Sequence, residues 1–172
     1  MKKLIGNLNQ IGYKKIVLLL AISETLHNLE EAILLPEWSK TAGMWHPKVG
    51  TVEFRIAILL STIMIYGIIY YFSKKDNALS NFLMGGAIAM VLFNVLMPHL
   101  LATAFMFQYA PGLLSGVLFN VPVTVYLLRR GVKERLYKKK TLALAGLCFA
   151  LIAFPLLQLF FALGRIIENF CK

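Results

Sequence analysis

Glu24, His27, Asn28, Glu30 and Glu31 crowd one apolar run, in the stretch Ser23-Glu-Thr-Leu-His-Asn-Leu-Glu-Glu31. Carboxylates beside an imidazole can hold a divalent cation, relay a proton, or divide acid and base work between them. On a helix at roughly 100° per residue, with Glu24 at zero, Asn28 lies near +40°, Glu31 near −20°, His27 near −60° and Glu30 near −120°. All five share about 160° of arc, so one side of the helix is polar, and Leu26, Leu29 and Ile33 form the other. His27 neighbours Glu31 at i, i+4 and Glu30 at i, i+3. Each charged side chain at the centre of a membrane helix costs ~2.5–3.5 kcal/mol on insertion scales. Three acids there require compensation from a metal, a proton, partner side chains or a water-filled chamber.

A second polar cluster lies at Phe93-Asn-Val-Leu-Met-Pro-His99. Pro98 cannot donate to the carbonyl of Asn94. That carbonyl and the Asn94 amide are free for a ligand, an ion or a neighbouring helix, and His99 joins His27 as a candidate ligand. Asn120 and Gln158 sit at compatible depths in later apolar runs, and Pro122 frees the carbonyl of Leu118 in the same way. Tyr109 is a candidate outer gate. His46 reads as solvent-exposed, and Arg165 with Glu168 as a surface pair. The sequence contains no His-Glu-x-x-His zinc signature or its inverse, no phosphate-cradling glycine loop and no Gly-x-Ser-x-Gly elbow. Its two cysteines, Cys148 and Cys171, are too far apart for a metal clip and too few for a disulfide scaffold.

These groups must be positioned by apolar helices. Of 172 residues, 59% are hydrophobic and 15% charged. Soluble domains average ~45–50% and roughly 25%, so an ordinary water-soluble globule is excluded, and a disordered chain with it. Five apolar runs cover 16–35, 56–72, 82–107, 113–128 and 142–167. A bilayer core needs ~20 apolar residues per helix. The second and fourth runs are near the short limit; the third and fifth are long enough to tilt or bend, with Pro98 and Pro155 as the bending points. The expectation is an all-α polytopic membrane bundle of about five transmembrane helices, forming one integral membrane domain over 1–172.

The net charge of +10 does not point to nucleic acid, because the cations flank the apolar runs instead of forming one face. With the amino terminus cytoplasmic, the inner side holds Lys2, Lys3, Lys14, Lys15, Lys74 and Lys75, together with the seven cations from Arg129 to Lys140. The outer side holds only Lys40, Lys48, Arg55, Arg165 and Lys172. This bias orients the amino terminus inwards and the carboxyl terminus outwards. No small-residue cleavage site follows the first run, which argues against a cleaved signal peptide. Pro36 marks the end of the first helix, 73–77 an inner loop, and Ala110-Pro-Gly112 a tight outer connection. The outer stretch 37–53 is expected to lie along the surface, partly as an amphipathic segment. Gly85/Ala89, Gly112/Gly116 and Gly146/Ala150 have small-xxx-small spacing, read as close helix packing.

His27-Asn-Leu-Glu30-Glu31, placed in a first membrane helix, resembles the motif of the HXXEE family of bacterial integral membrane proteins. The resemblance continues through Asn94, His99, Tyr109-Ala-Pro111-Gly112 and Pro122, and covers about Ser23 to Arg130. It implies a multi-pass protein of the bacterial plasma membrane with its site at these residues. It implies no substrate, because no reaction is assigned to the family.

The residues support a membrane-embedded, metal-dependent enzyme of hydrolase type. His27, Glu31 and His99 are the expected metal ligands, with Glu30, Glu31 and Asn94 as catalytic candidates and Glu24, Asn28, Asn120 and Gln158 as further pocket residues. Glu30 and Glu31 are not separable as ligand and base at this level. Two His and one carboxylate match a catalytic zinc set with one position left for water, although iron or manganese accept the same donors. Membrane lipids surround such a protein, and its substrate would be a lipid or another small hydrophobic molecule; the oligomeric state is left open. The alternatives are a metal-free acid–base isomerase acting on a lipid or terpenoid, a proton-coupled small transporter and a non-catalytic membrane partner. Five helices without a repeat weigh against a transporter.

Overall fold

The computed structural model describes residues 8–170, which contain helices and no strand; Lys2, Lys3, Cys171 and Lys172 lie outside the described residues. After a short turn at Tyr13–Ile16, helix α1 covers Leu18–Trp38 and α2 covers Thr51–Lys74. Helix α3 runs over Ala78–Met106, and α4 over 113–133 as Leu113–Ser115, Gly116–Asn120 and Val121–Lys133. Helix α5 covers Lys139–Phe170. Three of these helices, α2, α3 and α5, are long and apolar enough to cross a membrane. Helix α1 carries Glu24, Glu30 and Glu31 in its middle, and α4 is interrupted by wide turns.

The helix ends follow local chemistry. Glu53 reaches back to the amide of Gly50 at 3.1 Å, which satisfies a free donor of the first turn of α2. Asn77 caps α3 by accepting from the Ser80 amide at 2.8 Å. Pro36 does not stop α1, which continues to Trp38. Helix α3 does break its regular winding at Pro98: Met97 has non-helical dihedrals (φ −138°, ψ 109°) and Val95–Leu100 forms wide, π-type turns. A proline amide has no hydrogen for the ladder, so the helix must rearrange there. Phe107, with φ of 51°, ends α3.

Helix α5 packs chiefly against α2 and α3, and α1 against α2 and the wide turn of α4. Gly146 faces Ala89 closely, as small-residue spacing predicts for packed helices. Arg165 on α5 pairs with Glu53 on α2 at 2.7 Å, and Glu168 accepts from the Glu53 amide. Arg165 and Glu168 of α5 thus both engage Glu53, a clamp between two helix ends. The 39–50 stretch forms a short 3-10 turn at Gly43–Trp45, with Trp45 stacked on Phe105 of α3.

Two apolar clusters fill the interior. One joins Val17 and, on α1, Leu20 and Ala21 to Ile65, Ile69, Phe72, Met84, Ile88 and Leu127. The other joins Leu35 to Phe54, Ala57 and Phe161. Along α1 the polar residues Ser23 to Glu31 lie between these two apolar plugs. The outward side of α1 is a continuous exposed stripe of Leu18, Ile22, Leu26, Leu29 and Ile33.

Candidate metal centre

His27 and Glu31 project from successive turns of α1, and His99 arrives from the irregular turns of α3. All three are buried. One ligand atom from each lies within 4.8 Å of the other two. Glu31 Oε1 is 3.1 Å from His99 Nε2 and 3.7 Å from His27 Nε2. Ligands held about 2.1 Å from a tetrahedral ion stand roughly 3.4 Å apart, so both spacings suit a common ion. The two imidazoles are edge-on, with ring centres 5.0 Å apart and planes at 84°.

The far nitrogens of both rings are also engaged. His27 Nδ1 lies 3.3 Å from Ser115 Oγ, and the carbonyl of Pro111 accepts from His99. Such partners fix the tautomer and aim the other nitrogen at the ion in metal sites. Between the two Nε2 atoms stands the Asn94 amide, its Nδ2 at 3.1 Å from His27 and 3.3 Å from His99. Gly112 explains how the α3–α4 connection can approach so closely. Its φ is +91°, and a Cβ there would fall 2.7 Å from His27 Cε1 and 2.8 Å from His99 Cε1. Gly112 thus seats the imidazoles of α1 and α3, and Gly116 packs as closely on Val95 of α3, in line with the small-residue spacing.

Glu30 takes a different place from Glu31. Its Oε1 accepts from the Tyr109 hydroxyl and, at 2.7 Å, from the Gly112 amide; its Oε2 accepts from the Ser115 amide at 2.9 Å. The carboxylate therefore ties α1 to the first turn of α4, where free amides and the positive end of the helix favour an anion. Tyr109 faces Glu30 and, outside the apolar runs, its phenol is pushed up to about 12 by burial and by the Glu30 carboxylate.

A cavity of about 230 Å³ opens beside the cluster. Glu24, Asn28, Glu31, Asn94 and His99 line its polar side, and residues including Phe54, Ile58, Val91, Leu157 and Phe160 its apolar side. Asn120 Nδ2 donates to Glu24 Oε2 at 2.9 Å, and Asn28 donates to Thr62 at 2.8 Å. Gln158 does not line the cavity. His46, expected in solvent, is half-buried and does line it, with its ring edge-on to Phe54 and Phe161. Its Nδ1 bonds to the Pro47 carbonyl at 2.6 Å, which leaves Nε2 as its second polar atom. Burial pushes the His46 imidazole below its ordinary value. Residue spacing did not mark Ser115 or His46 as site residues, because one reaches the site from the first turn of α4 and the other from the α1–α2 connection.

The chain is a helical bundle with two imidazoles and a carboxylate buried beside a mostly apolar cavity. Residues 18–127 match the family described as "Protein of unknown function with HXXEE motif", and the chain belongs to that family. "Uncharacterized protein YrkK" of Bacillus subtilis (strain 168) is 34% identical over 144 residues, covering 81% of this chain and 89% of that protein. No solved structure matches.

Proposed function

We propose that the protein is a membrane-embedded, metal-dependent hydrolase of a small hydrophobic ester or amide. The observation that supports this most is the convergence of His27, Glu31 and His99 with both imidazoles braced from behind. A divalent ion, zinc first and iron or manganese next, would supply a water made acidic enough to ionise near pH 7 and a Lewis acid for a carbonyl. The chain's own groups divide the remaining work. Glu24 faces the cavity from one turn below Asn28 and is placed to accept a proton. Rotated about its amide, Asn94 presents an oxygen where its nitrogen now stands, as a fourth ligand or as a hydrogen-bond partner to substrate. Glu30 is a positioning residue that holds the Gly112–Ser115 turn against the imidazoles. The apolar wall of the cavity would take the hydrocarbon part of the substrate and keep bulk water out.

In this reading the chain crosses the plasma membrane five times as a single domain, amino terminus inside. The apolar stripe of α1 supports a lipid-facing role for that helix. Its acids are compensated by Asn120, the imidazoles and the α4 amides. A metal-free acid–base isomerase is the second reading, favoured by one observation: the Asn94 amide alone can satisfy both Nε2 atoms.

The test uses the purified full chain in detergent with a fluorogenic medium-chain acyl ester. The hydrolase reading expects turnover that a chelator abolishes, that added divalent metal restores, and that His99→Ala lacks. Absence of ester and amide turnover in metal-loaded protein would overturn it. Isomerase activity that survives chelation would establish the second reading instead.

A further inference from the structure

We propose that the inner ends of α3 and α5 form a second site, which binds the headgroup of an anionic phospholipid. It rests on the membrane disposition proposed above and is independent of the metal centre. A cavity of about 280 Å³ lies between these two ends. Its α3 wall is Ala78, Asn81, Phe82 and Gly85, which are one helical stripe at i, i+3, i+4 and i+7. Its facing wall is Lys138, Thr141, Leu142 and Ala145, with the same spacing. Both stripes change character in the same direction. Lys138, Thr141 and Asn81 stand at the entrance, with Arg135 beside them, and Phe82, Leu142, Gly85 and Ala145 form the floor. Seven residues of helix rise about 10 Å, so charge gives way to hydrocarbon over the depth from a phosphate to the first acyl carbons.

Charge complementarity names the occupant. The side chains of Arg135 and Lys138 belong to exposed residues and have no hydrogen-bonding or acidic partner among the described residues. The nearby acids are engaged elsewhere: Glu134 pairs with Arg130 at 2.5 Å, and Asp76 with Lys14 at 3.8 Å. No acid lines the cavity. Helices α3 and α5 also both begin at this end, so the positive ends of two long helices face the same space. Cations held between helices at the inner face suit an anionic headgroup in the leaflet that carries negative lipid. The apolar floor requires an attached chain, which a free phosphate lacks.

The full chain, extracted from membranes in neutral detergent, is titrated with phosphatidylglycerol, phosphatidylcholine or sodium phosphate. Thermal unfolding and native mass spectrometry follow binding. Phosphatidylglycerol should raise the melting temperature and stay attached, whereas phosphatidylcholine and phosphate should do neither. R135Q with K138Q should weaken phosphatidylglycerol binding roughly thirtyfold, while K74Q with K75Q, on the same side but outside the groove, should leave it unchanged. Both groove cations are exposed, so the double variant should melt like the parent without lipid. Equal binding of phosphatidylcholine, an equal effect of phosphate, or indifference to the R135Q/K138Q pair would overturn the site. A chain recovered without detergent in the soluble fraction would overturn the membrane disposition itself, a separate failure.

Discussion

At the scale of single residues, the two adjacent glutamates of the motif have opposite duties. Glu31 faces His27 and His99, and Glu30 faces the α4 amides. Glu31→Gln should abolish metal-dependent activity while the protein still folds, and unchanged activity would remove Glu31 from the ligand set. Ser115→Ala should weaken metal about 10–100-fold, the usual effect of losing a partner behind a ligating imidazole, without a comparable loss of stability; isothermal titration measures it. Gly112→Ala should be harsher, because its Cβ meets two imidazole rings and its φ is positive. Both metal content and melting temperature should fall.

His46 carries a pH prediction. Its folded value is depressed by burial, so folding favours the neutral ring. Its contribution is present above the ordinary histidine value of about 6.5 and is lost as pH falls from there through the depressed value. The melting temperature should therefore decline on acidification over that window, and His46→Gln should flatten the decline. An identical slope in the variant would show that other groups set it.

At the scale of elements, two irregular segments make the site. The wide turns Val95–Leu100 carry His99 inward, and Gly116–Asn120 presents Asn120 to Glu24. Such bulges often mark functional positions, since they re-aim a side chain that a regular helix would misplace. The connection 107–112 is held by Glu30, so Glu30→Ala should destabilise the bundle by about 2–3 kcal/mol, seen as earlier denaturation in detergent. Wild-type stability would show that the α1–α4 tie is dispensable.

Much of this was legible in the sequence, for physical reasons. Acids in an apolar run conflict with their surroundings, so Glu24, Glu30 and Glu31 were conspicuous, and helical spacing alone put them with His27 on one side. Pro98 announced irregularity before His99. The division between Glu30 and Glu31 was not legible, because both lie on the polar arc and only the arrival of Gly112 and Ser115 separates them. His46 was misplaced into solvent because its burial depends on Phe54 and Phe161, which reach it from different helices. Pro36 was read as a stop, yet α1 continues to Trp38.

At the scale of the whole molecule, the polar cluster sits between two apolar plugs, and the outward faces of α1 and α5 display large aliphatic and aromatic side chains. A bilayer would solvate those faces. The cation bias predicts that a phosphatase reporter fused after Lys172 is active outside the membrane and that one inserted at 73–77 is inactive. The reverse pattern would invert the topology.

The proposed function requires that His27, Glu31 and His99 hold one metal ion together. Elemental analysis of protein purified in detergent without added chelator tests it most directly. The parent should carry close to one divalent ion per chain, lost in both His27→Ala and His99→Ala and retained in Gln158→Ala. A folded parent protein that takes up no divalent ion even when loaded, or a pair of histidine variants that keep it, would rule out a shared ion at these residues.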